Sequence, residues 1–359
     1  MTLNFNSEKL FFIAEIGVNH NGKLALAKKL IREAKKSGAD AVKFQLFSNK
    51  DLVTQSCKKA PYQIKNTKGN NSQRNMLKKL ELSKHNYLKI IKYCRKINIK
   101  CFASVFDERN YNFLVNNLKQ KIIKIPSGEI TNYFLLKEID LKKTKIIIST
   151  GMSKLSEIAN AINIISKSEI YNISRDKVFL KNKKKLNLIK KKILVMQCTT
   201  DYPLKDNFVN LYSINYLEDK LKLKIGFSDH TPDAISPIIA ASRGCKVFEK
   251  HFTLNKKMKG PDHSASIDPD GLKSLIQNLK RVPKILGNYD KKMQTCEIKN
   301  INSVRKSVVA KKLINRGEIF SLKNLTSKRP GNKFNPINIK SVLGKKAKKD
   351  FAIDEAISL

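Results

Sequence analysis

The chain has no CxxC pair and no zinc-like cysteine spacing: Cys57, Cys94, Cys101, Cys198, Cys245 and Cys296 stand well apart. A cysteine-built structural zinc site is excluded, and reduced thiols in a cytoplasmic protein are expected. Long apolar runs are missing too. The stretch LFFIA before Glu15 is too short for the core of a signal segment, and nothing approaches a bilayer span, so no membrane partner is expected. Acidic residues are scarce, 30 against 72 basic, for a formal charge of +42. That excess invites a nucleic-acid reading. Yet only ten of the basic residues are arginine, and the lysines spread over nearly every helical stretch instead of gathering in one stripe. A groove reader uses arginine forks for base edges. Specific nucleic-acid binding is therefore not expected, whereas weak association at low salt is.

What the chain does have is alternation. Its 359 residues suffice for a (β/α)8 barrel and a small extra domain. Apolar β-rich runs fall at 11–16, 41–46, 101–104, 122–126, 145–149 and 193–197. A seventh ends at Ser228 and His230, and an eighth covers 247–251. Helical periodicity separates them, at 24–37, 83–97, 107–118, 154–166, 209–219, 237–244 and 271–286. Eight strands in this alternation predict a closed parallel barrel over 1–287. Residues 288–302 read as a polar linker and 303–359 as a small β-rich module. Segment 48–80 shows no clean period and reads as a long functional loop. Segment 167–192, dense in Lys and Asn, reads as a solvated helix and loop.

The polar residues inside this pattern choose one end of each strand. Glu15, Lys43, Gln45, Lys124, Ser127, Ser149, Ser228, His230 and His251 all fall near strand C-termini, where barrels carry their chemistry. Side chains alternate across a strand, so Lys43 and Gln45 share a face, as do Ser228 and His230, and Glu249 and His251. If those faces point inward, the two imidazoles converge on one volume. Two such ligands with open positions describe a catalytic metal better than a structural one. Lys43 and Lys124, with the hydroxyl turns at Ser127 and Ser149, suggest a phosphate cradle. Thr199 and Tyr202 are placed to line a substrate pocket. His85, at a helix start, reads as a surface histidine.

The motifs AEIGVNHNG, VKFQ, IKIPSGE, ISTGMS, QCTTDYP, GFSDHT, EKHFT, GPDHSAS and KRPGN together resemble the sialic acid synthase family, in order and over nearly the whole chain. The resemblance implies a TIM barrel followed by an antifreeze-like (SAF, β-clip) domain, in a domain-swapped homodimer. It implies condensation of phosphoenolpyruvate with an N-acetylated hexose, N-acetylmannosamine first, using a divalent ion: Mn2+, or else Mg2+ or Co2+. Position by position, it gives the metal to His230 and His251. Phosphoenolpyruvate goes to Lys43, Lys124, Ser127, Ser149 and Ser228, with Gln45 toward the sugar. Glu15 and Asp262 contact and orient the amino sugar, Tyr202 forms an aromatic wall, and Arg329 reaches across the dimer to the acyl group. Glu129 and a metal-bound water are both candidates for activating the water that adds at C2. Thr200 stands where these synthases often have Asn. The alternative within the class is a legionaminic or pseudaminic acid synthase using a diacetamido-trideoxyhexose. From another class, a non-catalytic carbohydrate-binding protein is disfavoured by the charged residues kept at so many strand ends.

Overall fold

The computed structural model describes residues 4, 5, 7–67 and 72–359. Eight parallel strands close into a barrel: β1 (Phe11–Gly17), β2 (Ala41–Leu46), β3 (Lys100–Val105), β4 (Ile122–Ile125), β5 (Lys145–Ser149), and then, past a hairpin of β6 (Tyr171–Ser174) and β7 (Lys177–Leu180), β8 (Ile193–Cys198), β9 (Ile225–Asp229) and β10 (Val247–His251). β1 pairs with both β2 and β10, which completes the ring.

Period-2 alternation sorts the strand residues into two layers. One set, including Phe12, Ala14, Val42, Phe44, Ile123, Ile148, Val195 and Phe227, packs against the surrounding helices. The helix Leu24–Lys36 shows how: Ala27, Leu30, Ile31 and Ala34 recur at helical spacing and are buried, and Lys35 and Lys36 sit in its last turn, where cations favour the helix dipole. The other set fills the barrel. Its lower part is apolar, with Phe11, Ile13, Phe102, Ile147, Leu194 and Met196 forming a separate cluster. Above this plug the inward residues turn polar. The register sets Glu15 beside both Lys43 and His251, Ser104 beside Lys124, and Ser228 beside Glu249.

Three stretches depart from expectation. Segment 48–80 carries three short helices, Asn49–Leu52, Pro61–Thr67 and Gln73–Leu80, while residues 68–71 of it lie outside the described residues. The first two are too short to show a period. The last is capped by Ser72 and buries Met76, Leu77 and Leu80. Segment 167–192 contains the expected helix, Lys183–Ile189, but the β6–β7 hairpin stands where a loop was expected. Its two-residue turn is Arg175-Asp176, with φ of 45° and 64°. Paired positive φ values usually call for Asn-Gly, so no turn signal was there to read. The predicted linker 288–302 holds most of a helix, Thr295–Val304.

The chain divides into two compact units, the second being Gly287–Leu359. That unit pairs β11 (Ser307–Ala310) with β12 (Leu325–Lys328) in antiparallel fashion. It has its own small core, centred on Val308, Ile314, Phe320, Leu325 and Phe351.

Candidate active site

At the C-terminal end of the barrel strands lies a cavity of about 290 Å³. Of the residues singled out from the sequence, Glu15, Lys43, Gln45, Lys124, Ser127, Glu129, Ser149, Tyr202, Ser228, His230 and His251 all line it. The apolar plug below offers their charges no partner, so they pair with one another. Lys43 Nζ lies 2.8 Å from Glu15 Oε2 and donates to Ser104 Oγ at 2.8 Å. Lys124 Nζ donates to both oxygens of Glu249 at 2.9 Å. Glu249 Oε1 also accepts from Ser228 Oγ at 3.2 Å and stands 3.7 Å from Lys43 Nζ.

Glu249 is thus the hub of the site, and the sequence reading gave it no role. Its signal was present, since it lies two residues before His251 on the same strand face. What was not visible is that Lys124, 125 positions away, ends opposite it. Burial drives the Glu249 carboxyl up, but Lys124 and Lys43 outweigh that and hold it at about 2. Burial likewise raises Glu15, against the pull of Lys43.

The imidazole rings of His230 and His251 stand 5.6 Å apart, centroid to centroid. His230 Nδ1–H donates to the Thr199 carbonyl at 2.7 Å, so Nε2 is the nitrogen not engaged there; burial opposes a charge on this ring, but Cys198 and the Thr199 carbonyl outweigh it and raise the ring above its ordinary value. His251 Nδ1 is buried and has no hydrogen-bond partner. Burial and the neighbouring His230 push the His251 ring well below its ordinary value, so it is neutral, the form that binds metals. Asp262 Oδ2 lies 3.8 Å from His251 Nδ1, and burial, followed by the Glu15 charge, pushes the Asp262 carboxyl up to about 7. An orphaned buried nitrogen beside a second imidazole whose Nδ1 is engaged elsewhere fits a divalent ion. Among the described residues no group of three or more His, Cys, Asp or Glu side chains is arranged to hold one.

Tyr202 forms one wall, its ring 4.2 Å from His230 and edge-on to His251. Tyr62, from the segment read as a loop, packs on Tyr202 at 4.9 Å and was not foreseen, because that segment has no pattern that orients its side chains. Thr199 is not where the sequence reading put it. Its hydroxyl donates to the Phe208 carbonyl at 3.1 Å, and the threonine lining the cavity is Thr200. Both follow the end of β8, where strand alternation no longer dictates direction. Gly151 explains the close approach of these loops. Its N–H donates to Ser127 Oγ at 3.0 Å, and a Cβ there would fall 2.1 Å from Thr200 Oγ1. Glu129 accepts from Asn132 Nδ2 at 2.6 Å. Arg329 belongs to the second unit, where its Nε donates to the Val304 carbonyl at 2.8 Å.

Comparison with known proteins meets this geometry from another side. Residues 30–291 match the NeuB family and residues 305–359 the SAF domain. The chain is 45% identical over 350 residues to the N,N'-diacetyllegionaminic acid synthase of Campylobacter jejuni serotype O:2, covering 98% of this chain and 99% of that one. It is 32% identical over 358 residues to the pseudaminic acid synthase of Campylobacter jejuni serotype O:23/36, covering 99% and 97%. Among solved structures, the N-acetylneuraminic acid (sialic acid) synthetase of Leptospira borgpetersenii, in complex with citrate, superposes with a TM-score of 0.66 at 30% identity, over 82% of this chain and 90% of that one. A barrel whose mouth gathers two lysines and two histidines, matched over nearly its whole length to such synthases and followed by a SAF domain, belongs to the NeuB family of sialic acid synthases and is an enzyme of that family.

Proposed function

We propose that this enzyme condenses phosphoenolpyruvate with a diacetamido-trideoxyhexose to give a legionaminic-type nonulosonic acid and phosphate. The observation that carries the reaction is the meeting of Lys43, Lys124, His230 and His251 in one cavity. The choice of sugar rests on likeness: 45% identity to a diacetyllegionaminic acid synthase, against 32% to a pseudaminic acid synthase and 30% to the Leptospira sialic acid synthetase. N-acetylmannosamine, the first sugar expected from the sequence, is less well supported than this alternative.

Phosphoenolpyruvate is highly anionic, so Lys43 and Lys124, with the hydroxyls of Ser127, Ser149 and Ser228, neutralise and orient it. No Schiff base is needed, and the lysines serve as clamps. His230 and His251 are assigned a divalent ion, Mn2+ first, which when bound supplies Lewis-acid polarisation of the sugar aldehyde. Glu15, Gln45, Asp262 and Tyr202 hold the sugar so that its open-chain C1 faces C3 of the enol. The C3–C1 bond forms and the aldehyde oxygen takes a proton. Water then adds at C2 and loses a proton, for which Glu129 is this chain's candidate acceptor. The C2–O bond breaks and phosphate departs, leaving the 2-keto acid. Arg329, on the SAF unit, is assigned to the acyl group of a sugar held by a second copy.

The test is phosphate release from phosphoenolpyruvate and Mn2+ with each candidate hexose, the product being weighed by mass spectrometry. Release with the diacetamido sugar is the expected outcome. Release with N-acetylmannosamine alone would return the assignment to a neuraminate synthase, and release with no hexosamine tested would sink the reading.

A further inference from the structure

The outer faces of β9 and β10 hold an ion pair that the chemistry above does not use. Asp229 and Lys250 are directly opposed in register, and each is 1% exposed. Because Ser228 and Glu249 point into the cavity, their neighbours point outward, into the apolar layer that contains Phe227 and Phe248. There Lys250 Nζ bonds both Asp229 Oδ2 and the Thr231 carbonyl. Asp229 Oδ1 in turn accepts from Thr231 N at 3.0 Å and from Thr231 Oγ1 at 2.9 Å.

Burying two ions in an apolar layer is poor value as stabilisation, since hydrophobic residues of similar volume commonly do as well or better. What this pair gains is geometry. Asp229 and Thr231 bracket His230, and Lys250 precedes His251. One ammonium group therefore ties the residue before one imidazole to the residues on both sides of the other. The ring of bonds closes behind the two histidines, on the side away from the cavity. Their backbones are pinned further by Leu204 N donating to the His230 carbonyl at 2.9 Å and Ile267 N to the His251 carbonyl at 2.8 Å.

We propose that Lys250 and Asp229 are positioning residues which set the spacing of His230 and His251 for a divalent ion, an inference that rests on reading that histidine pair as the ion site. Outer groups that orient metal ligands typically change affinity by about 10–100-fold when replaced. The experiment measures free Mn2+ by electron paramagnetic resonance against full-length wild type, Lys250→Met, and the double variant Lys250→Met/Asp229→Asn, with thermal unfolding and calorimetric binding of phosphoenolpyruvate alongside.

Lys250→Met should unfold earlier, because it strands a buried carboxylate. The double variant removes that lone charge and should regain the wild-type unfolding temperature, yet both should bind Mn2+ about 10–100-fold more weakly, with phosphoenolpyruvate affinity unchanged. A purely structural pair would weaken both ligands in step with stability. Wild-type Mn2+ affinity in the double variant overturns the proposal. Should the double variant not fold, Asp229→Asn, which keeps the side chain's shape and leaves Lys250 its bond to the Thr231 carbonyl, decides by the same readout: wild-type affinity overturns, weakened affinity supports. A wild-type protein that takes up no Mn2+ would bring down the ion site itself, an outcome separable from the others because it precedes any substitution.

Discussion

Lys124→Met is expected to destabilise the barrel by about 3–5 kcal/mol and to stop turnover. The ammonium of Lys124 is 1% exposed and supplies two of the bonds to Glu249. Without it, Glu249 keeps only Ser228 and the more distant Lys43, at 3.7 Å. Lys124 is the largest influence holding that carboxyl at about 2 against burial, so its loss pushes the Glu249 carboxyl up and leaves a buried acid without its main counter-ion, which costs stability. The double variant Lys124→Met/Glu249→Gln separates stability from chemistry. It leaves no lone ion and should recover most of the lost stability, while turnover remains absent because the anion clamp is halved. Thermal unfolding and a phosphate-release assay on the three proteins read both effects. A double variant that regains activity would remove Lys124 from the clamp.

His251→Ala should lower phosphate release by about 10³-fold, the loss that matches several kcal/mol of Lewis-acid stabilisation at roughly 1.4 kcal/mol per decade. Its effect on folding should be far smaller, for a physical reason visible in the site. His251 Nδ1 is buried without a hydrogen-bond partner, so truncation deletes an unsatisfied group along with the ring's packing. His230→Ala should lose a similar factor in rate, and it also frees the Thr199 carbonyl that the ring now engages. Chelation of the wild type followed by Mn2+ addition is the matching control. Full phosphate release from either alanine variant would remove the ion from the proposal.

How much of this was legible beforehand follows from where the information sits. Alternation along β2 sends Lys43 one way and Phe44 the other, whatever the rest of the chain does, and the same local rule orients Ser228, Glu249 and His251. The barrel and the inward set at its mouth were therefore readable. Partnership was not. That Lys124 meets Glu249, or that Lys250 meets Asp229, depends on which strands close the ring and in what register. Direction was lost wherever the strand ended, which is how Thr199 was chosen over Thr200. Pattern was lost where elements are only a turn or two long, as at Pro61–Thr67, which carries Tyr62. The hairpin at Arg175-Asp176 failed for a third reason, because its backbone adopts a turn that its side chains do not advertise.

The carboxylate lodged between two ammonium groups has one more implication, for ions in the surrounding medium. Although the chain as a whole is a polycation of formal charge +42, the innermost positive charges of its mouth already have covalently tethered counter-ions in Glu15 and Glu249. Chloride or sulfate arriving there must evict a group that loses no translational freedom by staying put, and neither brings more than two charges with which to do so. Raising the concentration of such salts should therefore strip loosely held polyanions from the lysine-covered exterior long before it disturbs the KM for phosphoenolpyruvate, which a salt titration of both quantities would show.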